Sequence, residues 1–98
     1  MKFVIEKPSV SVASFFRRAG YHFQKREGEE MAFARRLTDR EFPRFHLFCK
    51  KEKDRIIVNI HLDHKKTSYA GYRKHGGEYG GSELLKEEAE RLKLVAGI

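Results

Sequence analysis

The chain has little of what usually cross-links or anchors a small protein. It contains one cysteine, Cys49, which excludes an internal disulfide and a cysteine-based zinc site. Its longest uncharged apolar stretch, residues 10–16, is far shorter than the roughly 20 residues of a membrane helix. The N-terminus offers only a short apolar run between charged residues, so no secretory signal is predicted. We therefore expect a cytoplasmic protein, without a membrane partner, that is stabilised by an apolar core.

Acidic residues are also scarce relative to basic ones. The 98 residues contain 21 Lys and Arg but 14 Asp and Glu, a formal net charge of +7. The length predicts a single domain over residues 1–98. A basic excess is typical of proteins that bind nucleic acid or another polyanion, although small domains also need a net charge of about 2 to 8 for solubility. Composition alone leaves both interpretations open.

Residues 12–19 show the spacing of a helix with one apolar face. Positions i, i+3, i+4 and i+7 are Val12, Phe15, Phe16 and Ala19. Ser11 precedes them and can cap the first turn, whereas Gly20 can adopt the left-handed backbone that often ends a helix. The pattern predicts a first helix between Ser11 and Gly20.

A second helix is predicted to begin at Ser82, whose hydroxyl can cap it. The apolar residues of one face are Leu85, Ala89 and Leu92. Glu87 and Arg91 have the i, i+4 spacing of an ion pair. Before this helix, residues 67–81 hold five glycines and three tyrosines, a composition that predicts a long surface loop.

Two hairpins are predicted between the helices, one from residues 21–25 and 31–37 and one from residues 44–50 and 56–64. With a short strand at the N-terminus, the element order is (β)-α-β-β-β-β-α. The expected fold is α+β, with an antiparallel sheet of about four strands flanked by an N-terminal and a C-terminal helix. A two-residue turn at Lys53 and Asp54 would place His46 directly opposite His61.

The histidine pair is the strongest candidate for a metal site. Directly opposed residues have Cβ atoms about 4.5 to 5.5 Å apart, and Asp63 shares the face of His61. His75 and Glu78 of the predicted loop could complete the set. Imidazole and carboxylate donors suit a divalent transition metal such as zinc or manganese, which indicates a metal-dependent hydrolase, for example a phosphodiesterase.

The same two histidines allow chemistry without a metal. His46 and His61 could act as general acid and base in RNA cleavage, because the histidine pKa lies near neutral pH. Equally, polar residues including histidine are ordinary on an exposed sheet face. The residue types alone do not choose among these interpretations.

Basic and aromatic residues are interleaved around the predicted loop. Positive charge and flat rings together are what single-stranded nucleic acid requires. The candidate binding residues are Arg44, Lys65, Lys66, Tyr69, Tyr72, Arg73, Lys74 and Tyr79. Folding of the tyrosines onto the hairpin edge is an equally good explanation of their presence.

Three runs carry a resemblance to a group of short, uncharacterised bacterial proteins with the pattern HLDxKKxSY…H…GEY. They are residues 42–48, 61–69 and 75–79, and the similarity extends over about residues 12 to 95. It implies a domain of that kind and no particular activity. The element order also resembles double-stranded-RNA-binding domains and HicA-type toxins, although the catalytic histidine context of the toxins and the lysine cluster of the RNA-binding domains are absent from this sequence.

The leading hypothesis is a small basic domain that binds nucleic acid or another polyanion through its sheet face and Gly/Tyr-rich loop. The first alternative is the metal-dependent hydrolase. The second is a protein-interaction module without chemistry.

Overall fold

The computed structural model describes the backbone of residues 1–64 and 75–97 and the side chains of residues 1–64 and 82–97. Its order of elements confirms the predicted α+β fold. The elements are β1 (Lys2–Glu6), α1 (Val12–Arg18), β2 (His22–Glu27), β3 (Glu30–Arg36), β4 (Arg44–Glu52), β5 (Arg55–Asp63) and α2 (His75–Ala96).

Helix α1 begins and ends as its sequence predicts. The Ser11 hydroxyl accepts a hydrogen bond from the Ser14 N–H at 3.3 Å. Gly20 has a φ of +95°, a conformation that side-chain-bearing residues rarely adopt. All four apolar residues of the predicted face are buried. The helix is therefore fixed by its cap, its terminating glycine and its apolar face.

The sheet has five antiparallel strands in the order β1-β5-β4-β3-β2. The prediction of about four strands is one short because β1 joins the sheet beside β5, with Phe3 opposite Val58. The strands β2 and β3 form the first predicted hairpin around Gly28, whose φ is +62°. A bulge between Phe23 and Lys25 interrupts the register of β2.

The second hairpin, formed by β4 and β5, has the predicted register. Lys53 and Asp54 form its turn, and His46 lies opposite His61. Alternate residues of the two strands form the inner face, which packs against α1 and α2. Buried inner-face residues of this hairpin are Phe45, Leu47, Cys49, Ile56, Val58 and Ile60. The opposite side, called the outer face below, carries both histidines.

One ionised group is buried between the helices and the sheet. The Glu88 carboxylate accepts a hydrogen bond from the Tyr21 hydroxyl at 2.6 Å and two from the Arg91 guanidinium at 2.8 and 2.9 Å. The Arg35 Nε lies 3.6 Å away, and Arg91 also donates to the Ala19 carbonyl at 2.7 Å. This Glu88 cluster links α2 to β3 and to the end of α1.

Helix α2 corrects two predictions. Its backbone is helical from His75, so the predicted loop over residues 67–81 and the predicted start at Ser82 are wrong for residues 75–81. Glycine weakens a helix by about 1 kcal/mol relative to alanine but does not prevent one. Arg91 pairs with the buried Glu88 and not with Glu87. Within the described residues, no helix is both long and apolar enough to cross a membrane.

Candidate metal centre

Adjacent strands bring three potential ligands together on the outer face. His46 projects from β4, whereas His61 and Asp63 project from β5. The His46 Nδ1 lies 3.1 Å from the His61 Nε2. One carboxylate oxygen of Asp63 lies 3.4 Å from the His61 Nε2, and the other lies 3.8 Å from the His46 Nδ1. The register and the alternation of side chains therefore place three donor groups around one point.

The spacing of these atoms is close to what a metal requires. Bond lengths of about 2.0 to 2.2 Å and tetrahedral angles separate zinc ligands by roughly 3.3 Å. The three ligand atoms here lie within 4.8 Å of one another, and the two nitrogens are already 3.1 Å apart. In the metal-free pair, one imidazole donates a hydrogen bond to the other.

The protonation state of His46 favours ligation. Partial burial lowers the pKa of His46 below its ordinary value of 6.5. Asp63 opposes this effect, and the neighbouring residues His61, Arg44 and Lys25 add to it. A lower pKa leaves the imidazole neutral near pH 7, and neutral imidazole is the form that binds metals.

A cation and two phenylalanine rings surround the donors. The Arg44 Nε lies 3.6 Å from Asp63, and its guanidinium carbon lies 4.8 Å from the centre of the Phe42 ring. That Nε is buried without a hydrogen-bond partner. Phe48 is the next residue after His46 on the outer face of β4. The centre of its ring lies 4.9 Å from the centre of the His46 ring and 6.2 Å from that of the His61 ring. The hairpin pattern alone did not identify Phe42 as a neighbour of a site.

The remaining predicted ligands belong to α2. His75 and Glu78 lie in its first turns, where only the backbone is described. Their participation in a metal site therefore stays a prediction. Of the predicted binding residues, Arg44 has a described side chain, and the others, from Lys65 to Tyr79, lie outside the described side chains.

Charged residues on the outer face form ion pairs between basic and acidic side chains. The four pairs are Lys25–Glu27 at 3.3 Å, Arg44–Asp63 at 3.6 Å, Arg55–Glu52 at 3.6 Å and Lys50–Glu52 at 3.9 Å. Glu52 contacts both Lys50 and Arg55, so three carboxylates offset part of the positive charge of four basic side chains. Residues 65–74, which contain four basic residues and no acidic one, are the segment whose composition most favours the polyanion hypothesis.

Comparison of the chain with protein-family models, with curated proteins and with solved structures finds no match.

Proposed function

We propose that this protein binds a divalent transition metal ion, zinc or manganese, through His46, His61 and Asp63. The observation that carries the proposal is the convergence of three donor atoms within 4.8 Å on two adjacent strands. Strand pairing holds the Cα positions of all three residues, so little ordering is needed when the ion binds. Two imidazoles and a carboxylate are a ligand set typical of zinc.

The proposed site has the composition of a catalytic centre. Structural zinc sites use four protein ligands, whereas catalytic sites use three and keep a position for water. Zinc lowers the pKa of such a water to about 7, which supplies a nucleophile at neutral pH. The His61 side chain is 44% exposed, so that position is open to solvent and to a substrate. A metal-dependent hydrolase is the activity that this arrangement favours.

Metal binding can be measured directly on protein purified without a histidine tag. We expect Co²⁺, a spectroscopic substitute for zinc, to give visible absorption bands, and calorimetry to show one zinc per chain. Substitution His61→Ala removes one ligand and should weaken zinc binding by at least about 100-fold. Loss of a group that only hydrogen-bonds to a ligand already lowers metal affinity by about 10- to 100-fold. Substitution Asp63→Asn should weaken it less, because an amide oxygen remains.

His64→Ala is the matched control. His64 is an exposed histidine that directly follows Asp63, and its removal should leave the zinc affinity unchanged. Equal loss of affinity in the His61→Ala and His64→Ala proteins would show that binding is not at this site. A wild-type protein that binds no zinc or manganese would refute the proposal.

A further inference from the structure

A recess on the outer face is connected to the candidate metal centre through one residue, Phe48. It has a volume of about 280 Å³, and Phe48, Ile57 and Asn59 form part of its lining. Two lysines and two glutamates complete its lining: Lys2, Lys50, Glu30 and Glu52. Because Phe48 also lies against His46 and His61, the recess and the candidate metal centre share a wall. A ligand bound at the metal would therefore extend into this recess.

We propose that the recess and the metal centre together bind a phosphate monoester of a planar ring, such as a nucleoside monophosphate. The ring would stack on Phe48, and the phosphate would lie between the metal and Arg44. This inference rests on the proposed function, because the metal holds one end of the ligand.

The dimensions of the site suit such a ligand. Arg44 and Phe48 lie on opposite sides of His46 on β4, four residues or about 13 Å apart along the strand. A nucleoside monophosphate has its phosphate at one end and its base at the other, so it can reach from the Arg44 side of the metal to Phe48. The volume lies just below the range of about 300 to 1,000 Å³ typical of drug-sized ligands, so the recess accommodates one small ring system.

The chemistry of the recess also suits a base. Phe48 offers an aromatic surface, and every type of nucleic-acid base can stack on such a surface. Asn59, the cross-strand partner of Phe48, carries both a donor and an acceptor for the edge of a ring. Ile57 adds apolar surface beside them. A phosphate alone would use none of these contacts.

The recess has no net charge, with two lysines against two glutamates, so the charge that selects a ligand lies at the metal end and favours a dianion there. A divalent ion held by neutral imidazoles and one carboxylate carries a net charge of +1, and the Arg44 guanidinium beside Asp63 raises it to +2. A phosphate monoester carries a charge of about −1.5 to −2 at pH 7. A phosphate diester carries less, and a neutral nucleoside carries none. The Phe42 ring orients Arg44 at the edge of the site.

Calorimetry on zinc-loaded protein tests the inference with three probes: adenosine monophosphate, adenosine and inorganic phosphate. We expect the monophosphate to bind more tightly than either of the others. Phe48→Ala should weaken binding of the monophosphate about 10-fold, within the range for loss of one base–aromatic stack, and leave phosphate binding unchanged. Phe48→Leu keeps the apolar bulk and should show a similar loss. Arg44→Gln should weaken the monophosphate and phosphate alike.

Phe23→Ala is the matched control, because Phe23 is an exposed phenylalanine on β2, away from the recess. It should leave every affinity unchanged. If zinc binds with the expected dependence on His61 but both Phe48 variants keep the wild-type affinity for the monophosphate, the ligand assignment is wrong and the metal site stands. If zinc does not bind, the proposed function and this inference are both wrong.

Discussion

Removal of the Glu88 carboxylate should destabilise the protein more than any exposed substitution. Glu88 is 3% exposed and accepts three hydrogen bonds, one from Tyr21 and two from Arg91. Breaking a buried charge pair by removing one partner typically costs 3 to 5 kcal/mol. The Arg91 side chain is 37% exposed and keeps its hydrogen bond to the Ala19 carbonyl, so its charge stays partly compensated after Glu88 is removed. We therefore expect Glu88→Ala to lower the free energy of unfolding by about 3 kcal/mol, the lower end of that range.

Urea unfolding followed by circular dichroism measures this loss. About 3 kcal/mol corresponds to a decrease in Tm of roughly 12 to 24 °C for a domain of this size. Tyr21→Phe removes one hydrogen bond and should cost about 1 kcal/mol. Glu87→Ala, an exposed neighbour on α2, is the control and should stay within about 0.5 kcal/mol of wild type. Equal stability of the Glu88→Ala and Glu87→Ala proteins would refute the role assigned to the Glu88 cluster.

The same carboxylate predicts a dependence of stability on pH. Burial acts to raise the pKa of Glu88, but hydrogen bonds from Arg91 and Tyr21 and the charge of Arg35 outweigh it, and the pKa is lowered from 4.5. A folded-state pKa below the unfolded value stabilises the protein above about pH 4.5, and this contribution disappears as the pH falls through the folded-state value. Glu88→Gln should therefore lose less stability than wild type on acidification. Parallel pH profiles for the two proteins would contradict this linkage.

Three other outcomes can be checked with simple assays. Burial raises the pKa of the Cys49 thiol to about 12, so iodoacetamide should label Cys49 in urea and not in the native protein. Zinc affinity should fall as the pH drops below about 6.5, because protons compete for the imidazole nitrogens; a pH-independent affinity would exclude histidine ligands. If nucleic acid binds, its affinity should fall steeply with salt, and replacing Arg73 and Lys74 with alanine should reduce the log-log slope by about 2. An affinity that salt does not change would refute the polyanion hypothesis.

The centre of the candidate site could be predicted from the sequence because short-range geometry controls it. A two-residue turn at Lys53 and Asp54 allows only one register, and the two-residue period of a strand then assigns every side chain to a face. His46, His61 and Asp63 follow from those two constraints. Their exact distances depend on side-chain rotamers, which a sequence pattern does not specify.

Features that depend on tertiary contacts could not be predicted in this way. Helical spacing places Glu88 on the apolar face of α2, at i+3 from Leu85, but its partner Tyr21 follows only from how α2 packs in the folded chain. The recess beside Phe48 requires four strands side by side, so no hairpin analysis shows it. The start of α2 was missed because the glycine content of residues 75–81 favours a loop locally, and propensity is a weak guide within a longer helix.

The position of β1 has a consequence for the order of folding. Residues 2–6 leave the ribosome well before residues 55–63 of β5, which is the sheet partner of β1 in the part of the chain that the structure describes. Contacts between distant residues form slowly, because a long loop must close before they add stability. We expect the hairpin of β4 and β5 to form first and β1 to dock onto it afterwards. During synthesis, the apolar side chains of Phe3 and Ile5 therefore remain exposed and available to chaperones until most of the chain has emerged.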